Sequence, residues 1–242
     1  MKTLLITLLL LTMTSQAMNA FEPPRMHPTD RFIVTLFTDI WQDTPDQMEL
    51  KTIQRGISIN ALQDMPLWRT NFSIAAGLGF TSHNLYSDHF YLFNTYENRF
   101  DFYPIPYSYE KNKISLNYME VPVQLRYRTR DLNRTFRIYA GMKAGYLVNA
   151  HTKYVGKMTF SGPGGIQFLN DDEAGETTTM ERTTKIKTHK LRNINNLRVG
   201  LSAMVGYRSV NLYIYYPITN IFDDNHAEDM RPITLGFSFI LF

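Results

Sequence analysis

The chain of 242 residues contains no cysteine. This absence excludes a disulfide framework, a thiolate metal site and a thiol nucleophile. Charged residues are also sparse, at 19%, and the formal net charge is only +3. No basic helix or aromatic-basic module accompanies that small excess, so the composition gives no support for nucleic acid as a partner.

Long apolar runs are missing beyond residue 20. No later stretch approaches the roughly 18 residues that a spanning helix needs. A closed β-barrel is the other structure that satisfies all of its backbone groups within lipid. Integral membrane residence of the mature chain would therefore have to be by a barrel.

The first twenty residues have the features of a secretory signal. Lys2 supplies a short positive region, residues 4–13 are apolar, and small residues precede possible cleavage sites after Ala17 and Ala20. We predict a cleaved signal peptide over residues 1–20, with the choice between the two sites left open. No lipid-anchoring cysteine follows it. Residues 21–30 are proline-rich and are interpreted as a periplasmic lead-in to a barrel domain over residues 31–242.

Segment 197–216 shows the clearest pattern in the chain. Its odd positions, such as Leu201, are apolar, whereas its even positions, such as Arg198, are mostly small or charged. A period of two indicates a strand with one face in an apolar medium. The pattern restarts at Val210, immediately after Arg208-Ser209, which predicts two antiparallel neighbours joined by a very short turn.

Similar alternation recurs along the chain and predicts eight strands. They cover residues 31–41, 53–63, 72–81, 114–128, 136–154, 197–207, 210–216 and 231–242. The phase of the fourth strand changes near Tyr118-Met119, and Pro122 suggests a bulge. Segments 82–112 and 155–195 are interpreted as external connections, and the basic stretch 184–192 could extend a strand as a hairpin arm.

The connections alternate long and short, with the short ones near Met65, Asp131 and Ser209. Short periplasmic turns and longer external loops are typical of outer-membrane barrels. A soluble β-sandwich has no reason to alternate its loop lengths. The sequence therefore predicts an all-β protein, an eight-stranded antiparallel up-and-down transmembrane barrel of the outer-membrane type.

The predicted inward face carries charges of both signs. A barrel of eight strands is filled by its side chains and is not a diffusion pore. The charges could form a salt-bridged structural core, or a gated conduit or buried acid–base pair. We favour the structural core, because an unpaired buried charge is too costly to leave. Its predicted members are Asp39, Glu120, Arg126, Arg137, Lys143 and Arg198.

Aromatic residues cluster at the predicted strand ends. Amphipathic rings at these positions form the two girdles that lie at the lipid headgroups. The residues assigned to the membrane interface are Trp41, Trp68, Tyr127, Tyr207 and Phe242.

We expect no metal site, cofactor or catalytic residue. The histidines in predicted external segments lack the spacing of zinc ligands. His151, Ser161 and Glu173 share one predicted loop and could serve a lipid-modifying enzyme, but no G-x-S-x-G elbow accompanies them. The acidic stretches 171–176 and 223–229 lack the glycine and distal glutamate of an EF-type calcium loop.

Several segments together carry a family resemblance. They are LNYMEVPVQLRYRT (116–129), FRIYAGMKAGYLVNAHTKY (136–154), GLSAMVGYRSVNLYIYYPITNIF (200–222) and the terminal ITLGFSFILF. With the signal, they resemble the PorT-like outer-membrane β-barrel proteins of Bacteroidota over nearly the whole mature chain. The resemblance implies an integral outer-membrane component without enzymatic activity that has a structural or interacting role. In its finer form it implies an accessory role in protein export of the type IX kind.

The implied partners are outer-membrane lipid and lipopolysaccharide, the barrel-assembly machinery during biogenesis, and other envelope or secretion proteins. Phe242 resembles the terminal signal read by that machinery, although the apolar row that ends at Leu241 is out of phase with it. Alternation alone does not assign inside and outside. A secreted lipocalin-like carrier, with its apolar rows lining a ligand cavity, therefore stays open as an alternative.

Overall fold

The structure is a computed structural model. It describes residues 30–44, 48–68, 70–94, 99–106, 108–129, 134–160, 180–189, 191, 194–222 and 230–241. The predicted signal peptide and most of the predicted lead-in lie outside these residues.

Strands dominate the described chain. Their bounds are β1 Phe32–Gln42, β2 Arg55–Pro66, β3 Phe72–Tyr86, β4 His89–Asn94, β5 Arg99–Pro104, β6 Tyr109–Arg128, β7 Phe136–Phe160, β8 Met180–His189, β9 Leu197–Tyr207, β10 Val210–Pro217 and β11 Arg231–Ile240.

Eight of these strands close into an antiparallel barrel. The order of neighbours is β6-β3-β2-β1-β11-β10-β9-β7, and pairing of β6 with β7 completes the ring. β8 pairs with the outer end of β7, and β4 and β5 form a separate hairpin. The predicted eight-stranded barrel is confirmed, with long and short connections alternating between its two ends.

The two faces of the barrel wall differ in chemistry. Outward side chains are apolar and exposed, for example Leu78 at 62% and Leu201 at 49%, whereas inward Arg198 is only 2% exposed. A ligand carrier in water would have the opposite arrangement, because exposed apolar surface of this extent is unfavourable there. This assignment of the faces excludes the lipocalin-like alternative.

Inward glycines make room for large side chains from neighbouring strands. A Cβ at Gly200 would overlap the ring of Tyr215, and one at Gly56 would overlap Phe37. A narrow barrel holds bulky inward residues only where the facing positions are small. The small inner positions predicted from the sequence therefore accompany rings on the adjacent strands.

Several strands continue farther outward than their predicted ends. β3 reaches Tyr86, β6 begins at Tyr109 and β7 reaches Phe160. Together with β8, whose position agrees with the suggested hairpin arm, they build a sheet above the closed barrel, which we call the extracellular extension. The segments interpreted as external loops thus contain regular strands.

The phase change predicted near Tyr118 on the fourth strand is wrong, because β6 keeps its even positions inward on both sides of Tyr118. The irregularity lies on the partner strand, β7. Asn117 pairs with Asn149 and Tyr118 with Leu147, so Val148 is the extra residue. The bulge predicted at Pro122 is wrong, because Pro122 pairs in regular register with Lys143. Proline instead lacks an N–H for the ladder, and the β3–β6 pairing skips the two pairs between Ala76–Val123 and Gly79–Glu120.

Candidate functional site

The barrel interior is the densest collection of ionisable groups among the described residues. Each of them is at most 5% exposed. Five are cations and four are carboxylates, so the interior is nearly balanced in charge. They are Arg126, Arg128, Arg137, Lys143 and Arg198, with Asp30, Asp39, Asp64 and Glu120.

The periplasmic layer of the interior is organised around Asp30. Arg137 donates from Nε to the Asp30 carboxylate at 3.0 Å, and Arg126 donates to its backbone carbonyl at 2.9 Å. The Tyr139 hydroxyl also donates to this carboxylate. Arg128 bridges to Asp64 from the same end. Asp30, predicted as the last residue of the lead-in, thus forms part of the barrel interior.

The middle layer is centred on Glu120. Its Oε2 accepts from the Thr81 hydroxyl at 2.6 Å and from Lys143 Nζ at 3.3 Å, and Arg198 lies 3.9 Å from Oε1. The rings of two tyrosines add to this layer. Lys143 Nζ lies 5.1 Å from the centroid of Tyr213, and Arg198 Cζ lies 4.3 Å from that of Tyr215. Such cation–π contacts stabilise a desolvated cation.

Asp39 and His83 complete the middle layer. The Asp39 carboxylate meets His83 Nδ1 at 2.7 Å and accepts from the Thr234 hydroxyl at 2.6 Å. The other ring nitrogen of His83 contacts Arg198. An arginine donates only, so the Nε2 of His83 accepts and its Nδ1 carries the proton toward Asp39.

An apolar layer closes the external end of the interior. Its rings come from several elements: Tyr91 of β4 lies 5.4 Å from Phe222 and 5.0 Å from Phe102 of β5. We call this layer the aromatic cap. Its buried members are Trp41, Met48, Leu85, Tyr91, Ile114, Leu116, Tyr118, Ala150, Ile194, Ile221, Phe222 and Met230.

The predicted interior residues therefore all lie inside, in two layers. Asp39, Glu120, Lys143 and Arg198 share the middle layer, and Arg126 and Arg137 share the periplasmic one. Sequence reasoning missed Asp30, Asp64 and His83. For His83 a signal was present, because it continues the inward odd positions of the third strand, which runs on to Tyr86.

The predicted interface aromatics divide into different environments. Trp68 is 87% exposed at a periplasmic turn and Tyr207 is 49% exposed at a strand end. Tyr127 packs against Phe72, with ring centroids 5.2 Å apart. Placing Trp41 at the lipid interface is wrong, because it is 7% exposed and belongs to the aromatic cap. Phe242 lies outside the described residues.

Packing limits what this interior can do chemically. The middle layer surrounds a cavity with room for about one water molecule. Glu120 is held by cations and a hydroxyl, and the aromatic cap separates it from the external side. In the described residues, no group of three or more His, Asp or Glu side chains has the arrangement of a metal site. The geometry is that of a largely ion-paired structural core, in which Arg198 Nε and Nη2 have no hydrogen-bond partner among the described residues.

The residues considered for catalysis are not assembled in the described chain. His151 lies on the outer face of the extracellular extension, where its Nδ1 meets Asn149 Oδ1 at 2.9 Å. Its direct cross-strand neighbour is His189. Ser161 and Glu173 lie outside the described residues, as do the acidic stretches 171–176 and 223–229.

A closed antiparallel barrel with an apolar outer band and an ionic interior is a protein of the outer membrane. The chain belongs to the outer membrane protein beta-barrel domain family, whose model matches residues 37–223. No curated protein and no solved structure matches it. In the described part of the chain, no helix is long and apolar enough to cross a membrane. The protein is integral to the outer membrane.

Proposed function

We propose that this barrel is a non-enzymatic component of the cell envelope that acts through its external surfaces. The filled interior is the observation that supports this. Charged layers and the aromatic cap occupy the lumen from the periplasmic end to the external end. Because the described side chains fill this interior, we place the function on the outer surfaces of the barrel.

The extracellular extension offers the surface for a protein partner. In the described chain β8 pairs on one side only, with β7. No described strand pairs with the other edge of β8. An open strand edge is the arrangement to which a partner can add a strand. Exposed lysines along β8 limit unspecific pairing at that edge.

In its finer form, the proposal is an accessory role in type IX protein export, which the PorT-like resemblance implies. A deletion strain tests that role directly. We expect proteins exported by this route to accumulate in the periplasm, with secretion restored by the wild-type gene. Normal secretion in the deletion strain would remove the export role and leave the broader envelope role intact.

Site-specific photo-crosslinking tests where partners bind. A photoreactive residue at Thr188, exposed on β8, should yield a discrete adduct with another envelope protein in intact cells. The same residue at Trp68, exposed at the periplasmic end, is the matched control. Adducts from Trp68 alone would show that partners bind at the periplasmic end of the barrel. The absence of adducts from both positions would contradict an interaction role.

The filled lumen also makes a simple prediction about transport. Purified barrel in planar bilayers should show no steady conductance, because the packed layers leave no water-filled path. Stable open-channel currents would contradict the proposal and favour a conduit instead.

A further inference from the structure

Lysines stand directly opposite one another across the extracellular extension. Lys113 of β6 pairs with Lys153 of β7, which pairs with Lys187 of β8. Tyr86 of β3 ends the same row, as the partner of Lys113. Like charges directly opposite each other on one sheet face are destabilising. The row is therefore an arrangement that the fold alone does not favour.

Further cations surround this row. Lys111 and Lys185 flank it on either side of Val155, one step farther outward. Lys51 and Arg55 line a groove beside Tyr86 and Lys111. We call the row together with these flanking residues the lysine face. One carboxylate, Glu110, also lines the groove.

The described neighbours of the row stabilise its charges only in part. Lys113 Nζ donates to Asn84 Oδ1 at 2.6 Å and lies 5.7 Å from the centroid of Tyr86. Among the described residues, no ion pair with a carboxylate is formed by Lys113, Lys153 or Lys187. Burial and the neighbouring lysines lower the pKa of Lys113 to about 8.

The distance along β6 between the apolar band and Lys113 gives the height of the lysine face relative to the membrane. On β6 the outward row runs from Met119 and Val121, which are 45% and 49% exposed, to Lys113. At about 3.3 Å per residue, Lys113 lies roughly 20 Å along the strand from Met119. Since outer-membrane barrel strands are tilted by ≈ 35–45°, the height gained above the apolar band is smaller than that. This places the lysines at the level of the outer-leaflet headgroups and the sugars next to them.

We propose that the lysine face is a binding site for the phosphate groups of an outer-leaflet glycolipid, which Lys113, Lys153 and Lys187 would bind together. A phosphate would separate the opposed ammonium groups and accept hydrogen bonds from them. The lipid is favoured over a free anion because the site lies on the lipid-facing side of the wall, directly above the apolar band. The inference is independent of the proposed protein partner.

Binding can be measured with diphosphoryl lipid A as the probe. The full barrel in detergent is titrated with this lipid, and occupancy is read by native mass spectrometry. The Lys113→Gln/Lys153→Gln variant should bind on the order of ten-fold more weakly than the wild type. The matched control, Arg31→Gln/Arg208→Gln, removes two exposed cations from the periplasmic end and should bind like the wild type.

Two further comparisons make the test specific. Dephosphorylated lipid A should bind weakly to the wild type, and the Lys113→Arg/Lys153→Arg variant should retain binding because both charges remain. Equal losses in both double-glutamine variants, or equal binding of dephosphorylated lipid A, would overturn the site. Competition by soluble inositol hexakisphosphate at the same concentrations as lipid A would overturn the assignment to a lipid.

Folding of the variants is checked by heat-modifiable gel mobility. The Lys113→Gln/Lys153→Gln variant should be at least as heat-stable as the wild type without lipid, because it removes opposed like charges. A less stable variant would contradict the claim that the lysine row destabilises the barrel when no lipid is bound. In that case Lys153→Gln alone provides the binding comparison, and unchanged affinity there would overturn the proposal.

Discussion

At the residue scale, Glu120 is the only carboxylate within 4.0 Å of both Lys143 and Arg198 among the described residues. Glu120→Gln removes that charge and leaves two buried cations poorly compensated. Breaking a buried ion pair by removing one partner costs about 3–5 kcal/mol. We expect a loss of this size in the free energy of unfolding, measured by urea titration of the reconstituted barrel.

Two variants serve as comparisons for Glu120. Glu49→Gln changes an exposed carboxylate and should alter the free energy of unfolding by no more than about 0.5 kcal/mol. Adding Lys143→Met to Glu120→Gln should recover part of the loss, because the two side chains are in contact and their effects are not additive. Equal small losses in Glu120→Gln and Glu49→Gln would contradict the structural role of the ionic core.

The lowered pKa of Lys113 predicts how the stability of the folded barrel depends on pH. This pKa is lowered from 10.5 to about 8, first by burial and then by neighbouring lysines. Between these values the unfolded chain binds more protons than the folded one, so stability rises with pH across this window. Below about pH 8 Lys113 is protonated in both the folded and the unfolded chain, and the destabilisation caused by its buried charge and the neighbouring lysines is fully present.

The measurement is urea unfolding of the reconstituted barrel from pH 8 to pH 10.5, compared between wild type and Lys113→Met. The variant should show a smaller rise in unfolding free energy than the wild type, because it lacks the titrating group. Identical pH dependence in both proteins would contradict the lowered pKa of Lys113.

Predictions of which way a side chain points were correct where they followed the alternation along a strand. They were wrong where the expected aromatic girdle was used in its place. Asp39 is predicted to point inward from the first strand, and Trp41 has the same parity, so Trp41 points inward as Asp39 does. The girdle expectation instead places Trp41 at the membrane interface. Side-chain alternation is steric, whereas a girdle is a statistical preference.

At the element scale, the strands that cross the membrane were predictable because lipid on one face imposes strict alternation. The extracellular extension was less so. Its strands have lysines on one face and a mixture of residues on the other. Beside it, the described strands β4 and β5 form a two-stranded sheet of their own. Outside the bilayer no lipid covers one face of a strand, so the sequence there need not alternate between apolar and polar residues. The sequence therefore predicts loops for segments 82–112 and 155–195.

The outer arm of β7 and β8 should be dispensable for folding of the barrel. Among the described strands, β8 pairs with β7 alone and is not one of the eight that close the ring. Replacing residues 157–183 with an Asn-Gly turn joins Gly156 to Thr184, its direct cross-strand partner. We expect the shortened protein to keep the heat-modifiable gel mobility of the wild type.

A matched deletion of β11 provides the contrast for the arm. β11 bridges β1 and β10, so its loss opens the ring and exposes two strand edges. That variant should lose heat-modifiable mobility and become sensitive to protease. If shortening the arm has the same effect as deleting β11, the arm is an integral part of the barrel fold.

At the scale of the whole molecule, fold and location follow from one inversion of the usual globular pattern. Apolar rows cover the outer wall, and buried charges of both signs fill the interior. The sequence predicted interior charges that lie within the predicted strand bounds, but it missed Asp64 and His83, which lie just beyond the predicted second and third strands. It did not predict Asp30, which enters from the segment before β1, or the aromatic cap, which is assembled from distant segments. Contacts between separate elements leave no periodic signal in a single strand.

Site-directed spin labelling along β9 tests this inversion most directly, and the cysteine-free chain makes single-cysteine labelling simple. Labels at consecutive positions 199–205 are compared for collision with oxygen, which dissolves in lipid, and with a water-soluble nickel chelate. We predict high oxygen collision at Val199, Leu201, Ala203 and Val205 and low collision with both reagents at Ser202 and Met204. High nickel-chelate collision at the apolar positions, or no alternation along the strand, would contradict a lipid-facing wall around an ionic core.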